Sequence, residues 1–178
     1  MRRRKAGQGA KMKTANRIIE SMGTNDWESV RDINQEGIAT GNTTVEAHAP
    51  AWERWNSVHR PDCRLVARDG ERVVGWAALS PVSDREAYSG VAEVSVYVAD
   101  GSRGMGVGKL LLNSLVSTSE AAGVRTLQAS IFMGNAASIA LHFACGFRTV
   151  GARERIWRLN GRWRDTLFME RRSDVAGA

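Results

Sequence analysis

Two cysteines in 178 residues are too few for a disulfide framework. Cys63 and Cys145 read as buried free thiols rather than a bridge, which suits a cytoplasmic protein. Three prolines leave no Pro-rich linker, and no segment repeats. No apolar run approaches the ~20 residues needed to span a bilayer, so no membrane partner is expected. The charged start is not followed by the apolar stretch of a secretion signal. Acidic residues are missing altogether from positions 1–13, whereas Arg2, Arg3, Arg4, Lys5, Lys11 and Lys13 all fall there.

That last absence decides how the charge is read. The formal net charge of +6 and a pI near 10.0 suggest a nucleic-acid binder. Setting aside the six basic residues of the start leaves 19 basic against 19 acidic side chains over 14–178. The body is formally neutral, and no nucleic acid is expected for it. The start reads as a disordered basic tail over 1–15, with Met12 as an alternative initiator and a nuclear or nucleic-acid address as the competing reading. Residues 16–172 form one domain, of a size that buries a self-sufficient core, and 173–178 read as a disordered C-terminus.

Residues 17–21 (RIIES) read as a short strand. Thr24-Asn25-Asp26 offers a helix N-cap ahead of Trp27, Val30, Ile33 and Ile38 at helical spacing. Pro50 opens a second short helix that Pro61 ends. Residues 64–68 and 72–79 around Asp69-Gly70, and 147–159 and 163–170 around Asn160-Gly161, read as hairpins. Residues 91–98 (VAEVSVYV) and 124–131 read as strands. Residues 107–122 read as an amphipathic helix burying Leu110, Leu111, Leu115 and Val116, with Gly123 past its end; 135–145 read as a short helix stopped by Gly146. The order β-α-α-β-β-β-α-β-α-β-β predicts an α/β (α+β) three-layer domain.

The segment Arg103-Gly104-Met105-Gly106-Val107-Gly108-Lys109 joins a buried strand to a strong helix. Alternating glycines let the backbone approach a ligand and leave the first helical N–H groups open. That makes an anion site suited to phosphate or pyrophosphate. A P-loop needs G-x-x-x-x-G-K-[ST], and Arg103 and Leu110 break it twice. The dinucleotide pattern G-x-G-x-x-G fails on spacing. What remains is Arg-x-x-Gly-x-Gly at Arg103, Gly106 and Gly108.

That loop after the strand VSVYV resembles the acetyl-CoA pyrophosphate loop of the GNAT N-acetyltransferase superfamily. So does the later run Asn135, Ser138 and Ala144-Cys145-Gly146-Phe147. Residues 41–44 (GNTT), 92–98, 134–142 and 161–165 (GRWRD) are further similar to the phosphinothricin and methionine sulfoximine acetyltransferase group. The sequence departs from that group at Val82-Ser83, where Trp-Lys is frequent, and at Val45, where an aromatic residue is frequent. The resemblance implies a mixed sheet of about seven strands flanked by about four helices. It implies acetyl-CoA as co-substrate, with no metal, and a homodimer. The implied reaction moves acetyl by direct transfer to the α-amino group of a small amino acid or a toxic glutamate analogue of the phosphinothricin, methionine sulfoximine or sulfone, or arsinothricin type. It also implies a pantetheine and pyrophosphate site along Val96, Tyr97, Val98, the turn from Arg103 through Gly104, Met105, Gly106, Val107 and Gly108 to Lys109, then Asn135 and Ser138. A protein or peptide N-acetyltransferase and a non-enzymatic acyl-CoA-binding module are the alternatives.

Acetyl transfer to an amine needs a base for the ammonium, donors for the carbonyl and an acid near the departing thiolate. Glu93, carried on an apolar strand, is the candidate base because desolvation raises its proton affinity; it also matches the group's glutamate. His142 stands seven residues after Asn135, where many superfamily members carry a tyrosine acid, and is the second catalytic candidate. Tyr97 faces away from Val96 and Val98, toward the amino-acid pocket or the core. Arg85 and Tyr88 match substrate-contacting positions in the loop before the catalytic strand. His48 and His59 read as structural residues without partners. Trp27 and Trp76 read as core, Trp52 and Trp55 as a pocket wall or helix packing, and Trp157 and Trp163 as a dimer contact.

Overall fold

The computed structural model describes residues 17–176, so the basic start and the Met12 alternative lie outside the described residues. Its elements are β1 (Arg17–Ser21), α1 (Trp27–Ala39), α2 (Trp52–Val58), β2 (Arg64–Asp69), β3 (Arg72–Pro81), β4 (Val91–Val98), α3 (Val107–Ala121), β5 (Thr126–Phe132), α4 (Ala136–Ala144), β6 (Arg148–Leu159) and β7 (Arg162–Arg172). They follow the predicted order. One seven-stranded mixed sheet runs β1-β2-β3-β4-β5-β7-β6. Every neighbouring pair is antiparallel except β4 with β5.

Two apolar clusters lie on the two faces of this sheet. On one, α3 packs Val107, Leu111, Leu112 and Leu115 against Ala77, Leu79 and Leu127; burying a leucine there contributes roughly 2 kcal/mol. On the other, α1 and α2 pack Val30, Ile33 and Trp55 against Val66, Trp76 and Ala78. Of the four residues expected on the buried stripe of α3, Leu111, Leu115 and Val116 are buried and Leu110 is not. Leu110 is 46% exposed and Leu112 is fully buried. Helix α3 starts at Val107, which points inward; the row continues through Leu111 and Leu115 at i+4, and Leu110 falls on the opposite side.

Turns follow the predicted chemistry. Asn160 and Gly161 both adopt positive φ, at 49° and 77°, the type I′ combination that matches strand twist in a two-residue hairpin. The Asp26 carboxylate precedes α1 but does not bond its first turn. It accepts from the Gly23 backbone N–H at 2.8 Å and from Arg68 Nη2 at 2.5 Å, tying the entry of α1 to β2. Residues 173–176, placed in the loose C-terminus by sequence, are held. The Ser173 backbone N–H donates to the Arg125 carbonyl, and its Oγ accepts from the N–H groups of Val175 and Ala176. Both cysteines are free and buried.

Candidate active site

Strands β4 and β5 run parallel, and their pairing stops early. The register runs Val91↔Thr126, Ala92↔Leu127 and Glu93↔Gln128, then ends. Strand β4 continues on β3 to Val98, while β5 continues on β7 to Phe132. The strands therefore diverge at Glu93, and the β4 edge from Val94 onward has no ladder partner on that side. The wedge opens a cleft of about 840 Å³. Backbone donors facing a ligand-sized space are what a bound carbonyl or amide chain requires.

Below the wedge, the glycine turn enters α3. Gly106 is the helix N-cap in the left-handed region (φ 81°), a conformation that glycine adopts without cost. A Cβ on Gly108 would lie 3.1 Å from Leu141 Cδ2 and 3.6 Å from Val98 Cγ2, so a larger residue there would press on the Leu141 side chain of α4. The first N–H groups of α3 stand open toward the cleft, with Gly104, Gly106, Gly108, Arg103 and Lys109 around them. Arg103 is braced: its Nε donates to the Val98 carbonyl at 3.2 Å and its Nη2 pairs with Asp100 at 2.6 Å. Met105 is 55% exposed and does not line the cleft. Its carbonyl instead accepts from Arg17 Nη1 at 2.8 Å, which fastens the turn to β1.

At the apex of the wedge, Glu93 is raised from the usual carboxylate range, first by desolvation; hydrogen bonds from Ser130 and the charge of Arg153 act against the shift. Arg153 Nη1 donates to Ser130 Oγ at 3.4 Å and its guanidinium lies over the Phe168 ring at 5.2 Å. Neither Ser130 nor Arg153 was singled out by sequence, since a serine in β5 and one arginine among many in β6 carry no local signal.

Helix α4 supplies the facing wall. The Asn135 side chain caps it by accepting from the Ser138 N–H at 3.1 Å, and its Nδ2 donates to the Asn42 carbonyl at 3.1 Å. The loop 42–44 is thereby drawn into the cleft wall, a role the GNTT run did not disclose. His142 is 2% exposed. Its Nδ1 lies 2.8 Å from the Ser138 carbonyl, which only accepts, so Nδ1 carries the proton. Nε2 is then the lone-pair nitrogen, buried without a partner. Burial also lowers the imidazole pKa, so the ring is neutral at pH 7.

Val96 and Val98 line the cleft and pack on the α3 cluster. Tyr97 points to the other face, where its ring stacks on Trp76 at 4.8 Å and 12°. Desolvation pushes its hydroxyl up to about 12, and the Glu46 carboxylate acts in the same direction. Tyr97 lines the cleft and a smaller adjoining chamber alike. Trp55 is core, 1% exposed. His59, read as partnerless, is not: Nδ1 lies 2.8 Å from the Trp55 carbonyl and its ring stacks on Trp55 at 4.2 Å. Trp157 lines the cleft mouth, while Trp163 is 57% exposed.

Arg85 and Tyr88 line neither chamber. They lie in the loop joining β3 to β4, where a single 3-10 turn over Glu86–Tyr88 leaves Tyr88 47% exposed. Thirteen of the expected site residues are thus gathered around one cleft, and Met105, Arg85 and Tyr88 stand outside it.

Burial raises both thiols, Cys63 to about 11, so each is protonated at neutral pH and unsuited to carry an acyl group. Among the described residues, no group of three or more His, Cys, Asp or Glu is placed to hold a metal ion. No described helix is long and apolar enough to cross a membrane.

Known proteins share this architecture. The chain is 40% identical over 107 residues to an L-methionine sulfoximine/L-methionine sulfone acetyltransferase of Pseudomonas paraeruginosa, covering 60% of this chain and 62% of that protein. A phosphinothricin acetyltransferase from Sinorhizobium meliloti, solved in complex with AcCoA, superposes with a TM-score of 0.81 at 30% identity, over 90% of each chain. A ribosomal-protein-alanine N-acetyltransferase from Brucella melitensis superposes with a TM-score of 0.79 at 30% identity, over 88% of this chain and 99% of that one. The Acetyltransferase (GNAT) family model matches residues 27–147, which span the wedge, the glycine turn and α4. The chain belongs to the GNAT acetyltransferase family.

Proposed function

We propose that the chain transfers the acetyl group of acetyl-CoA to the α-amino group of a small amino acid or a toxic glutamate analogue, of the phosphinothricin, methionine sulfoximine or sulfone, or arsinothricin type. The observation that carries this is Glu93. A carboxylate with raised proton affinity stands at the apex of a sheet wedge, on a cleft that the open glycine turn also lines.

The cleft fits the thioester. Open N–H groups at the start of α3, with Arg103 and Lys109 beside them, suit a pyrophosphate. The unpaired edge of β4 and the capped start of α4 at Asn135 and Ser138 suit an amide-bearing arm. When bound, acetyl-CoA supplies an activated acyl group. The remaining work falls to this chain's residues. Glu93 takes the ammonium proton, directly or through water, and its shift toward neutrality makes it a better base than an ordinary carboxylate. Edge N–H groups of β4 face the carbonyl where negative charge develops. His142 presents Nε2 only as an acceptor, because its one proton is committed to the Ser138 carbonyl, so it does not protonate the leaving group: CoA departs as the thiolate and takes its proton from solvent. Without an ionised thiol, transfer is direct.

We further infer a homodimer from Val150, Ile156 and Trp163, which leave apolar side chains exposed on the β6–β7 hairpin; light scattering of the purified protein tests it. The likeness to the ribosomal-protein enzyme favours a second reading, a peptide amine as acceptor. Thiol release from acetyl-CoA decides between them. Release with methionine sulfoximine or phosphinothricin and not with an N-terminal peptide supports the amino-acid reading; the reverse supports the peptide. Protection of a methionine sulfoximine-sensitive host on expression tests a resistance role.

A further inference from the structure

A chamber of about 200 Å³ opens off the cleft, and Thr44, Ser80, Ser95 and Tyr97 line both spaces. Three residues around the smaller one carry a buried polar atom without a hydrogen-bond partner: Nε1 of Trp55, Nε1 of Trp76 and Oδ1 of Asn34. The indoles are each 1% exposed and Asn34 is 6% exposed. Buried polar groups in native folds are almost always paired. Three orphans around one chamber therefore mark a missing partner.

Neighbouring aromatic rings pack on both indoles. Trp55 packs against Trp27, Trp52 and His59, and Trp76 meets Trp55 edge-to-face and stacks on Tyr97. The chamber is also placed for the reaction. Ser80 is the register partner of Glu93, and Ser95 lies on the Glu93 face of β4, one pleat repeat or roughly 7 Å along the strand. An amine held at Glu93 directs the rest of a compact molecule past Ser95 into the chamber.

We propose that this chamber receives the end of the acceptor remote from its amine. Asn34, Trp55 and Trp76 select a compact terminus that offers oxygen acceptors to two indole N–H groups and an N–H or O–H donor to the Asn34 amide oxygen. A sulfoximine or a carboxamide meets all three. A sulfone satisfies the indoles and leaves Asn34 unpaired; a thioether or alkyl terminus leaves all three unpaired. The inference rests on the amino-acid acceptor reading above.

The test ranks kcat/KM for methionine sulfoximine, methionine sulfone, methionine and norleucine with wild type, Asn34→Leu and Trp76→Phe. The expected wild-type order is sulfoximine over sulfone by about tenfold and over methionine by at least about 100-fold, as for a site built around hydrogen bonds. Asn34→Leu should bring the sulfoximine-to-sulfone ratio near one. Trp76→Phe, which keeps the ring, should bring both polar substrates toward methionine. Flat wild-type selectivity, or ratios unchanged in the variants, overturns the pocket while leaving the acetyltransferase reading intact. If no amino acid turns over, that reading fails and thermal denaturation without acetyl-CoA decides the pocket. A Tm rise with methionine sulfoximine that Asn34→Leu or Trp76→Phe abolishes supports it, and no rise with wild type overturns it.

Discussion

Replacing Gly37 by alanine sets helix preference against the packing of the site. In the interior of α1, alanine is favoured over glycine by about 1 kcal/mol. At this position the new Cβ would lie 2.7 Å from both Cδ1 and Cε1 of Tyr97. To make room the ring must slide off its stack on the buried Trp76 toward the cleft that it lines. Overpacking of this kind costs about 1–3 kcal/mol, which outweighs the helix gain and leaves a net loss of about 1 kcal/mol. For a domain of this size that is a Tm lower by about 3 °C. Gly101→Ala is the control: nothing lies within 4 Å of its added Cβ, and its stability should stay within about 0.5 kcal/mol of wild type. Urea and thermal unfolding measure both. Since Tyr97 lines both chambers, the Gly37 variant should also raise KM for the amine. A Gly37→Ala protein about 1 kcal/mol more stable than wild type, with KM unchanged, would refute the claim that Tyr97 is fixed against α1.

Asp26→Ala leaves the Gly23 N–H and Arg68 without their buried acceptor and should cost about 2 kcal/mol, read as a lower urea midpoint at constant m. Gly106→Ala forces a side chain into φ 81°, which costs roughly 1 kcal/mol and should weaken acetyl-CoA binding in calorimetry. For pH dependence, the folded pKa of His142 is depressed by burial. Its stabilising contribution is present above the ordinary value near 6.5 and is lost as pH falls through the folded value. His142→Asn should therefore lose less stability than wild type between pH 7.5 and 5 in urea titrations. Glu93, raised in the fold, acts with the opposite sign: its contribution is present below its ordinary value and lost as pH rises through the folded one.

Element order was legible because hairpin turns, Pro50, Pro61 and the strand–glycine–helix junction at 98–107 are local signals. The glycine turn, Asn135 and Ser138 were legible for the same reason, as short motifs whose spacing carries the chemistry. Glu93 was singled out because an apolar strand carries it, and the fold sets it on the cleft wall. The edge of the α3 stripe was not legible, since six leucine and valine positions, among them Leu110, Leu111 and Leu112 in a row, leave open which of Leu110 and Leu112 turns inward. Ser130 and Arg153 meet Glu93 through strand pairing and cross-sheet placement, which no spacing encodes. The smaller chamber was invisible for a related reason: Asn34, Trp55 and Trp76 belong to α1, α2 and β3, and each alone reads as ordinary packing. Arg85 and Tyr88 matched a motif, yet the short turn that carries them leaves both outside the cleft.

On the proposed mechanism, Glu93, at the point where β4 and β5 part, takes the proton from the acceptor amine. The pH profile of kcat/KM with acetyl-CoA and methionine sulfoximine, for wild type and Glu93→Gln, tests it directly. The expected wild-type profile has an acid limb above the ordinary carboxylate range, with kcat lower by about 100-fold or more in Glu93→Gln and that limb gone. A variant that turns over at the wild-type rate, or that keeps the same acid limb, would contradict it.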